Sequence, residues 1–342
     1  MRLIDYCWMV LVVAAPVAAV SEASAAGKDP KVSQVVARGL EWLANSQSRL
    51  GHWTADHNQY PTAMTGLAGI ALMCEGSTTV QGKYAPQVRR AVDYLVSRSR
   101  ANGLIGDPTR DSRYTYGHGF ATLFLSQVLG EEEDVERREE LVDVLSRAVV
   151  FTGSAQTKAG GWGYVSAKDG SGFDEGSTTI TQVQALRGCR NAGIVVPKEV
   201  VDNAISYIHK CTGPDGGVRY RFGQGGGGRP AITGAAIACL FNAGEYDSEY
   251  VPKLLDYCKK NLSNLSSGRF GHWHYTYYYY SQVQYRQGGK TWEEYRDKLH
   301  ARIVSEAGPD GSWQGNIGQV YVTSINLTIL QLEKGVLPIY QR

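Results

Sequence analysis

Six short glycine turns constrain this chain more than any other feature of it. They read GHW at 51–53, GLI at 103–105, GGW at 160–162, GGV at 216–218, GHW at 271–273 and GSW at 311–313. A helix-like segment precedes each turn, as in VVARGLEWLANSQ, VRRAVDYLVSRS and EVVDNAISYIHK. A polar loop of variable length follows, then a second helix-like segment, such as PTAMTGLAGIALMCEG, GHGFATLFLSQVLG or AITGAAIACLFNAG. These second segments run up to Gly76, Gly130, Gly193, Gly244, Gly288 and Gly335, which the pattern predicts as helix C-caps. A frame that recurs with such regularity is an array of helical hairpins.

The two helices of each hairpin differ in kind. In AVDYLVSRS, Ala91, Tyr94 and Leu95 share a face while Asp93 and Arg98 fall elsewhere. In AITGAAIACLF the residues are apolar nearly all round, so protein must surround that helix on every side. The hairpins therefore stack, with an outer helix wet on one face and an inner helix wet on none. An open array needs a polar cap at its ends, yet the last unit, VYVTSINLTILQLEKGVLPIY, is largely apolar. The expectation is all-α: an (α/α)6 toroid of six helix-pair repeats over residues 26–342, with a central cavity.

The frame resembles the prenyltransferase and squalene cyclase repeat superfamily over about residues 32–335. AVDYLVSRSRANGLIGD, GPDGGVRYRF and GPDGSWQG carry the likeness, together with LANSQSRLGHW, whose Gln47 and Trp53 match the glutamine-to-tryptophan turn. The resemblance implies an apolar small-molecule ligand, lipid-like or isoprenoid, in an aromatic-lined cavity. Triterpene cyclases of this superfamily protonate their substrate through D-x-D-D at the start of an inner helix. That motif does not occur in this chain; Asp174-Glu175, before the third inner segment, is its nearest positional counterpart. Two adjacent carboxyls push each other's pKa values apart, which suits one of them to donate a proton. The D-x-C zinc element of protein prenyltransferases and the G-C-G-E-Q thioester segment of complement-like toroids do not occur either.

Equivalent loops of a ring converge on one rim, and here they bring His57 and Tyr60, Tyr114, Tyr116 and His118, Asp174 and Glu175, Arg229, His272 and His274. His118 or His274, paired with Asp174 or Glu175, fits general acid–base work near neutral pH. Trp162 and the stretch HWHYTYYYYSQVQYRQGG extend the aromatic set. On a helix Tyr277, Tyr280, Ser281 and Gln284 share one face, and Tyr275, Tyr279 and Val283 another. With the second segments aligned on their terminal glycines, Tyr277 and Tyr280 fall at positions that are small or polar in most other repeats, which leaves packing and ligand lining as the two readings of these rings. Several such rings would together stabilise a cation by roughly 0.5–2 kcal/mol each. No spacing typical of a metal site is present, and no cofactor is expected.

Three functions compete on this reading: acid-initiated cyclisation or isomerisation, a noncatalytic scaffold offering its rim to a protein partner, and a polysaccharide-active enzyme. The third would use Trp53, Trp162 or Trp273 as stacking platforms. A net charge of +2 without a basic run excludes a polyelectrolyte argument for nucleic acid. MRLIDYCWMVLVVAAPVAAVSEASAA has Arg2, an apolar run through Val20 and Ala23-Ser24-Ala25. It reads as a signal peptide over 1–25, hence export to periplasm or outside, with no membrane span after cleavage. Cys74, Cys189, Cys211, Cys239 and Cys258 read as buried small hydrophobes, with Cys211–Cys258 as the one pair a bridge would join. GQGGGGR at 223–229 reads as a rim turn, and Asn261, Asn264 and Asn326 match the short glycosylation pattern.

Overall fold

The computed structural model describes residues 29–341 apart from 171, 263–264 and 266–271. The expected signal segment, Asn264 and the fifth turn glycine, Gly271, lie outside the described residues. Among the described residues twelve α-helices follow one another: α1 (Pro30–Asn45), α2 (Pro61–Met73), α3 (Ala85–Ser97), α4 (Tyr114–Glu131), α5 (Val135–Ala155) and α6 (Gly176–Asn191). The second half comprises α7 (Lys198–Cys211), α8 (Pro230–Ala243), α9 (Tyr250–Leu262), α10 (Trp273–Gln287), α11 (Gly289–Ser305) and α12 (Gln319–Gln331). Odd-numbered helices form an outer layer, even-numbered ones an inner layer.

Burial follows the sequence pattern. In α1 only the stripe Val35, Val36, Gly39, Leu40, Leu43 and Ala44 is buried, whereas every residue of α2 is. Each inner helix packs on the next, and α12 returns to α2 while α1 lies against α11 and α12. The closure is also written in hydrogen bonds: the Asp56 N–H donates to Ile317 O at 3.0 Å, and Gln331 Nε2 to Ala71 O at 3.1 Å. The array is a ring: an all-α (α/α)6 toroid.

One joint recurs around it. Gly51, Gly103, Gly160, Gly216 and Gly311 all have positive φ, a backbone that L side chains rarely adopt. A Cβ on each would strike the backbone of the next outer helix: Arg90 O at 2.3 Å, Arg147 O at 2.1 Å, Asn203 O at 2.3 Å, Lys253 O at 2.3 Å and, across the closure, Arg38 O at 2.7 Å. In three of these turns a tryptophan two places on anchors the turn to its own outer helix, since a buried indole N–H needs an acceptor. Trp53 donates to Leu43 O, Trp162 to Thr152 O and Trp313 to Ile303 O, each at 2.8 Å. Gln47 and Gln156 add a bridge, each amide donating to its own turn and to the next outer helix.

Some expectations shift. Gly76, Gly193, Gly244, Gly288 and Gly335 leave their helices with positive φ, but Gly130 lies within α4, which continues to Glu131. Cys211 and Cys258 are free thiols, as are the other three described cysteines, all buried. Burial pushes the Cys74 thiol up to about 12, away from reactive thiolate chemistry. Asn326 is fully buried in α12 and so closed to glycosylation in the folded ring. Among the described residues no helix is long and apolar enough to cross a membrane.

Gly103→Ala should therefore destabilise the ring by about 2–5 kcal/mol, combining left-handed strain with overpacking. Gly76 has positive φ but open space around it, so Gly76→Ala should cost only about 1–2 kcal/mol. Urea unfolding of the two variants measures the difference.

Candidate functional site

The axis of the ring is filled by side chains. Tyr275 and Tyr279 of α10 reach across to α6, their hydroxyls meeting Ser177 O and Thr181 Oγ1, both at 3.3 Å. Below them Gln184 Nε2 donates to Gln282 Oε1 at 2.7 Å. From the far end a short 3-10 turn, Pro338–Tyr340, packs on α6 and brings the Tyr340 hydroxyl to within 2.6 Å of Tyr278 Oη. Tyr279 is 0%, Tyr278 1% and Tyr340 3% exposed. Two surface clefts lie off this axis, one of about 670 Å3 around Arg89, Glu132 and Arg137 and one of about 500 Å3 around Glu306 and Asp310.

Openness returns at the N-terminal ends of the inner helices, where Tyr116, Ser177 and Tyr275 are only half-buried. Glu175 lies just beneath. It N-caps α6, accepting from the N–H groups of Ser177 at 2.8 Å and Thr178 at 2.6 Å, as a helix start requires. The Ser177 hydroxyl at 2.6 Å and the Tyr116 hydroxyl at 3.2 Å donate to it as well. Asp174 points the other way, accepting from Tyr207 of the outer α7 and from Thr157, both at 2.7 Å. Adjacent in sequence, the two carboxyls serve opposite sides of one loop.

Above Glu175 the loops before α4, α6 and α8 form an aromatic and cationic mouth. Tyr164 stacks near Tyr116 with centroids 6.0 Å apart, and Phe173 lies 5.3 Å from Tyr164 and 6.5 Å from Tyr220. The hydroxyls of Tyr164 and Tyr220 hydrogen-bond each other. Guanidiniums cover the ring faces: Arg113 over Tyr164 at 4.4 Å, Arg229 over Tyr220 at 4.8 Å and Arg221 over Phe173 at 5.0 Å. The loops are tied together by backbone bonds from Thr115 N to Tyr164 O and from Gly176 N to Tyr220 O. Tyr114 pins the third loop, donating to Asp169 at 2.5 Å and accepting from Ser166 N at 2.7 Å.

Of the residues nominated from sequence, Tyr116, Glu175 and Arg229 gather here, and Tyr114 supports them. The others do not. His118 faces the outer layer, its Nδ1 accepting from Ile105 N at 3.1 Å and its Nε2 lying 2.9 Å from Thr152 Oγ1. Threonines perform that task in other repeats: Thr65 accepts from Trp53 N, Thr179 from Trp162 N, Thr233 from Val218 N and Thr323 from Trp313 N. His118 is a joint residue, and burial lowers its pKa to about 4. His274 lies edge-on to Trp273 and close to Gly315, likewise lowered to about 4 by burial and then by Arg302. Neither imidazole hydrogen-bonds Asp174 or Glu175.

The nominated tyrosine face is also reversed. Tyr277 donates to Leu262 O at the end of α9, and Tyr280 lies edge-on to Tyr295 of α11, so both turn outward while Tyr275 and Tyr279 turn inward. Trp162 is 0% exposed and belongs to the joint, and Trp53 and Trp273 are buried too, which removes all three as stacking platforms. Tyr60 is half-buried, a left-handed residue before α2 in the first repeat. His57 and His272 are exposed left-handed residues at the rim. In GQGGGGR the first glycines meet open space, whereas a Cβ on Gly228 would lie 2.3 Å from Gly217 Cα.

Sequence reasoning passed over Arg113, Tyr164, Phe173, Tyr220 and Arg221. A usable signal was present, because Tyr164 and Tyr220 each stand two places beyond the aromatic or apolar residue of their turn, Trp162 and Val218. Asp111 was missed as well; its carboxyl is buried in the wall between α2 and α4 with Oδ2 unpartnered, and burial raises its pKa to about 6. Among the described residues no group of three or more His, Cys, Asp and Glu side chains could hold a metal ion.

Comparison with known proteins extends the architecture. The sequence matches no family model and no curated protein. Solved structures do match. The type II terpene cyclase MstE from Scytonema superposes with a TM-score of 0.61 at 13% identity, over 90% of this chain and 98% of that one. An unsaturated glucuronyl hydrolase from Bacillus sp. GL1 superposes with a TM-score of 0.62 at 12% identity, over 91% and 99%. This protein therefore has the α/α-toroid fold common to both kinds of neighbour.

The neutral histidine of the joint has a measurable signature. Its pKa is about 4 in the folded ring against 6.5 for the free group, so the unfolded chain takes up the proton first as pH falls. Stability from this group is full above pH 6.5 and is lost progressively down to about pH 4. His118→Thr keeps an acceptor for Ile105 N and should remove about 2–3 kcal/mol of that acid destabilisation. Urea unfolding of both proteins from pH 7 to 4 tests this; superimposable pH profiles would contradict it.

Proposed function

We propose that this toroid is a binding protein that takes an oxyanion-bearing ligand at its loop-lined mouth. The contrast between axis and mouth carries the reading: tyrosines pack the axis, while Tyr164, Phe173 and Tyr220 stay half-buried beneath three guanidiniums. Among the described residues Arg113, Arg221 and Arg229 enter no ion pair. A guanidinium stacked on a ring is held in orientation and keeps its N–H edge for a carboxylate, sulfate or phosphate. Two sources share this chemistry, an acidic sugar and a lipid-like molecule with a charged head. The fold accommodates both classes in other proteins: MstE is described with geranylgeranyl dihydroxybenzoate as substrate, and the glucuronyl hydrolase as responsible for glycosaminoglycan degradation. Acid-initiated cyclisation has less support, because Asp174 serves the outer layer and Glu175 is engaged by the donors of its own helix start. Export through residues 1–25 belongs to the same reading and rests on the Arg2, apolar run and Ala23-Ser24-Ala25 pattern.

Calorimetric titration at low salt with tetragalacturonate, dodecyl phosphate and inorganic phosphate tests the reading. At least one should bind, and the double variant Arg113→Gln/Arg229→Gln should weaken it about 10–100-fold, the loss of two charge-assisted contacts. Preference for tetragalacturonate would select the sugar and preference for dodecyl phosphate the amphiphile. No binding by any of the three, or equal binding by the variant, would overturn the proposal.

A further inference from the structure

Each of the first five inner helices is followed by the next outer helix, but α12 is followed by a segment that turns into the ring. Leu332–Lys334 form one 3-10 turn, Gly335 reverses the backbone with φ +58, and residues 336–341 cross the end of the ring opposite the mouth, with Val336, Pro338 and Gln341 exposed. Leu337, Ile339 and Tyr340 are buried there. The segment is held by side chains from opposing walls. Its Ile339 N–H donates to Gln127 Oε1 of α4 at 3.2 Å, and its Ile339 carbonyl accepts from Arg286 of α10 at 3.4 Å. The Tyr340 and Tyr278 hydroxyls pair at 2.6 Å. Three polar contacts and three apolar side chains thus hold a short piece of chain that belongs to no helix pair, whereas the inner helices bury whole faces against two neighbours each.

We propose that residues 336–341 are an internal plug, a part of the chain occupying a chamber that accepts an apolar molecule with a hydroxyl or other single polar end. The chamber offers what the plug now uses: the Tyr278 hydroxyl, the Gln127 carbonyl oxygen and the apolar inner walls. Gly335 is the pivot, and the route of entry is the face opposite the cationic mouth, so this inference stands apart from the proposed oxyanion site. Plug and ligand compete for the same space. The affinity of the chamber is lowered by the fraction of time the plug is seated, and anything that loosens the plug raises it.

The neutral apolar dye N-phenyl-1-naphthylamine, which fluoresces on burial, probes the chamber in the full-length protein. Tyr340→Ala should bind it at least about tenfold more tightly than the unaltered chain, with the helical circular dichroism unchanged. Tyr340→Phe, which loses only the hydroxyl pair, should show a smaller gain. In the unaltered protein, hydrogen exchange of the Ile339 amide should be faster than exchange in the middle of α4 and should quicken when the dye is added. A folded Tyr340→Ala protein with no gain in dye affinity would overturn the inference. Exchange of Ile339 no faster than that of α4 would do so independently, even if the alanine variant does not fold.

Discussion

The contact between each of the five described turn glycines and the carbonyl of the following outer helix sets the geometry of the ring. Backbone meets backbone there with no side chain between, so the angle from one hairpin to the next is fixed by main-chain dimensions rather than by adjustable rotamers. The joint between Gly311 and Arg38 closes the circle with the same device that links Gly51 to Arg90. Around this contact Trp53, Trp162 and Trp313 each bond an indole N–H to their own outer helix, and Thr65, Thr179, Thr233 and Thr323 each bond an inner-helix hydroxyl to the turn. His118 replaces that hydroxyl in the second repeat, which explains a fully buried imidazole without any catalytic task.

A ring fixed in this way has two ends, and the chain treats them differently. At the start of the inner helices the loops vary in length and bring arginines over aromatic rings. At the other end the residues after α12 turn inward and meet the tyrosines of α10. The tyrosine-rich stretch is thus mainly a filling solution: its inward rings occupy the axis, and its outward rings pack against α9 and α11. The proposed function rests on the rim, where half-buried rings lie beneath guanidiniums that enter no ion pair among the described residues. The likeness to a type II terpene cyclase and to an unsaturated glucuronyl hydrolase, at 13% and 12% identity, concerns the fold alone.

The architecture was legible because it is dictated by periodicity. Glycines at positive φ and helices apolar all round leave few other ways to pack, and the largely apolar last repeat pointed to closure. The site was harder to read for physical reasons. Asp174 and Glu175 are neighbours in sequence, but successive residues in extended backbone point to opposite sides, and only Glu175 faces the inner helices. Helical spacing divided the α10 tyrosines into the correct two faces but carried no information about which one turned inward; side-chain packing against Thr181 and Tyr295 decides that. Arg113 and Tyr164 come from different repeats, and only the closure of the loops brings them together.

The claim on which the account depends is that this ring is packed along its axis and open at its loop-lined end. Brief-pulse hydroxyl-radical footprinting of the native protein, read out tyrosine by tyrosine by mass spectrometry, measures it directly. Tyr164 and Tyr220 should be oxidised readily, and Tyr278, Tyr279 and Tyr340 should stay protected until the protein unfolds. Oxidation of Tyr278 and Tyr279 at the rate of Tyr164 in the folded protein would mean that the axis is hollow, contradicting the account.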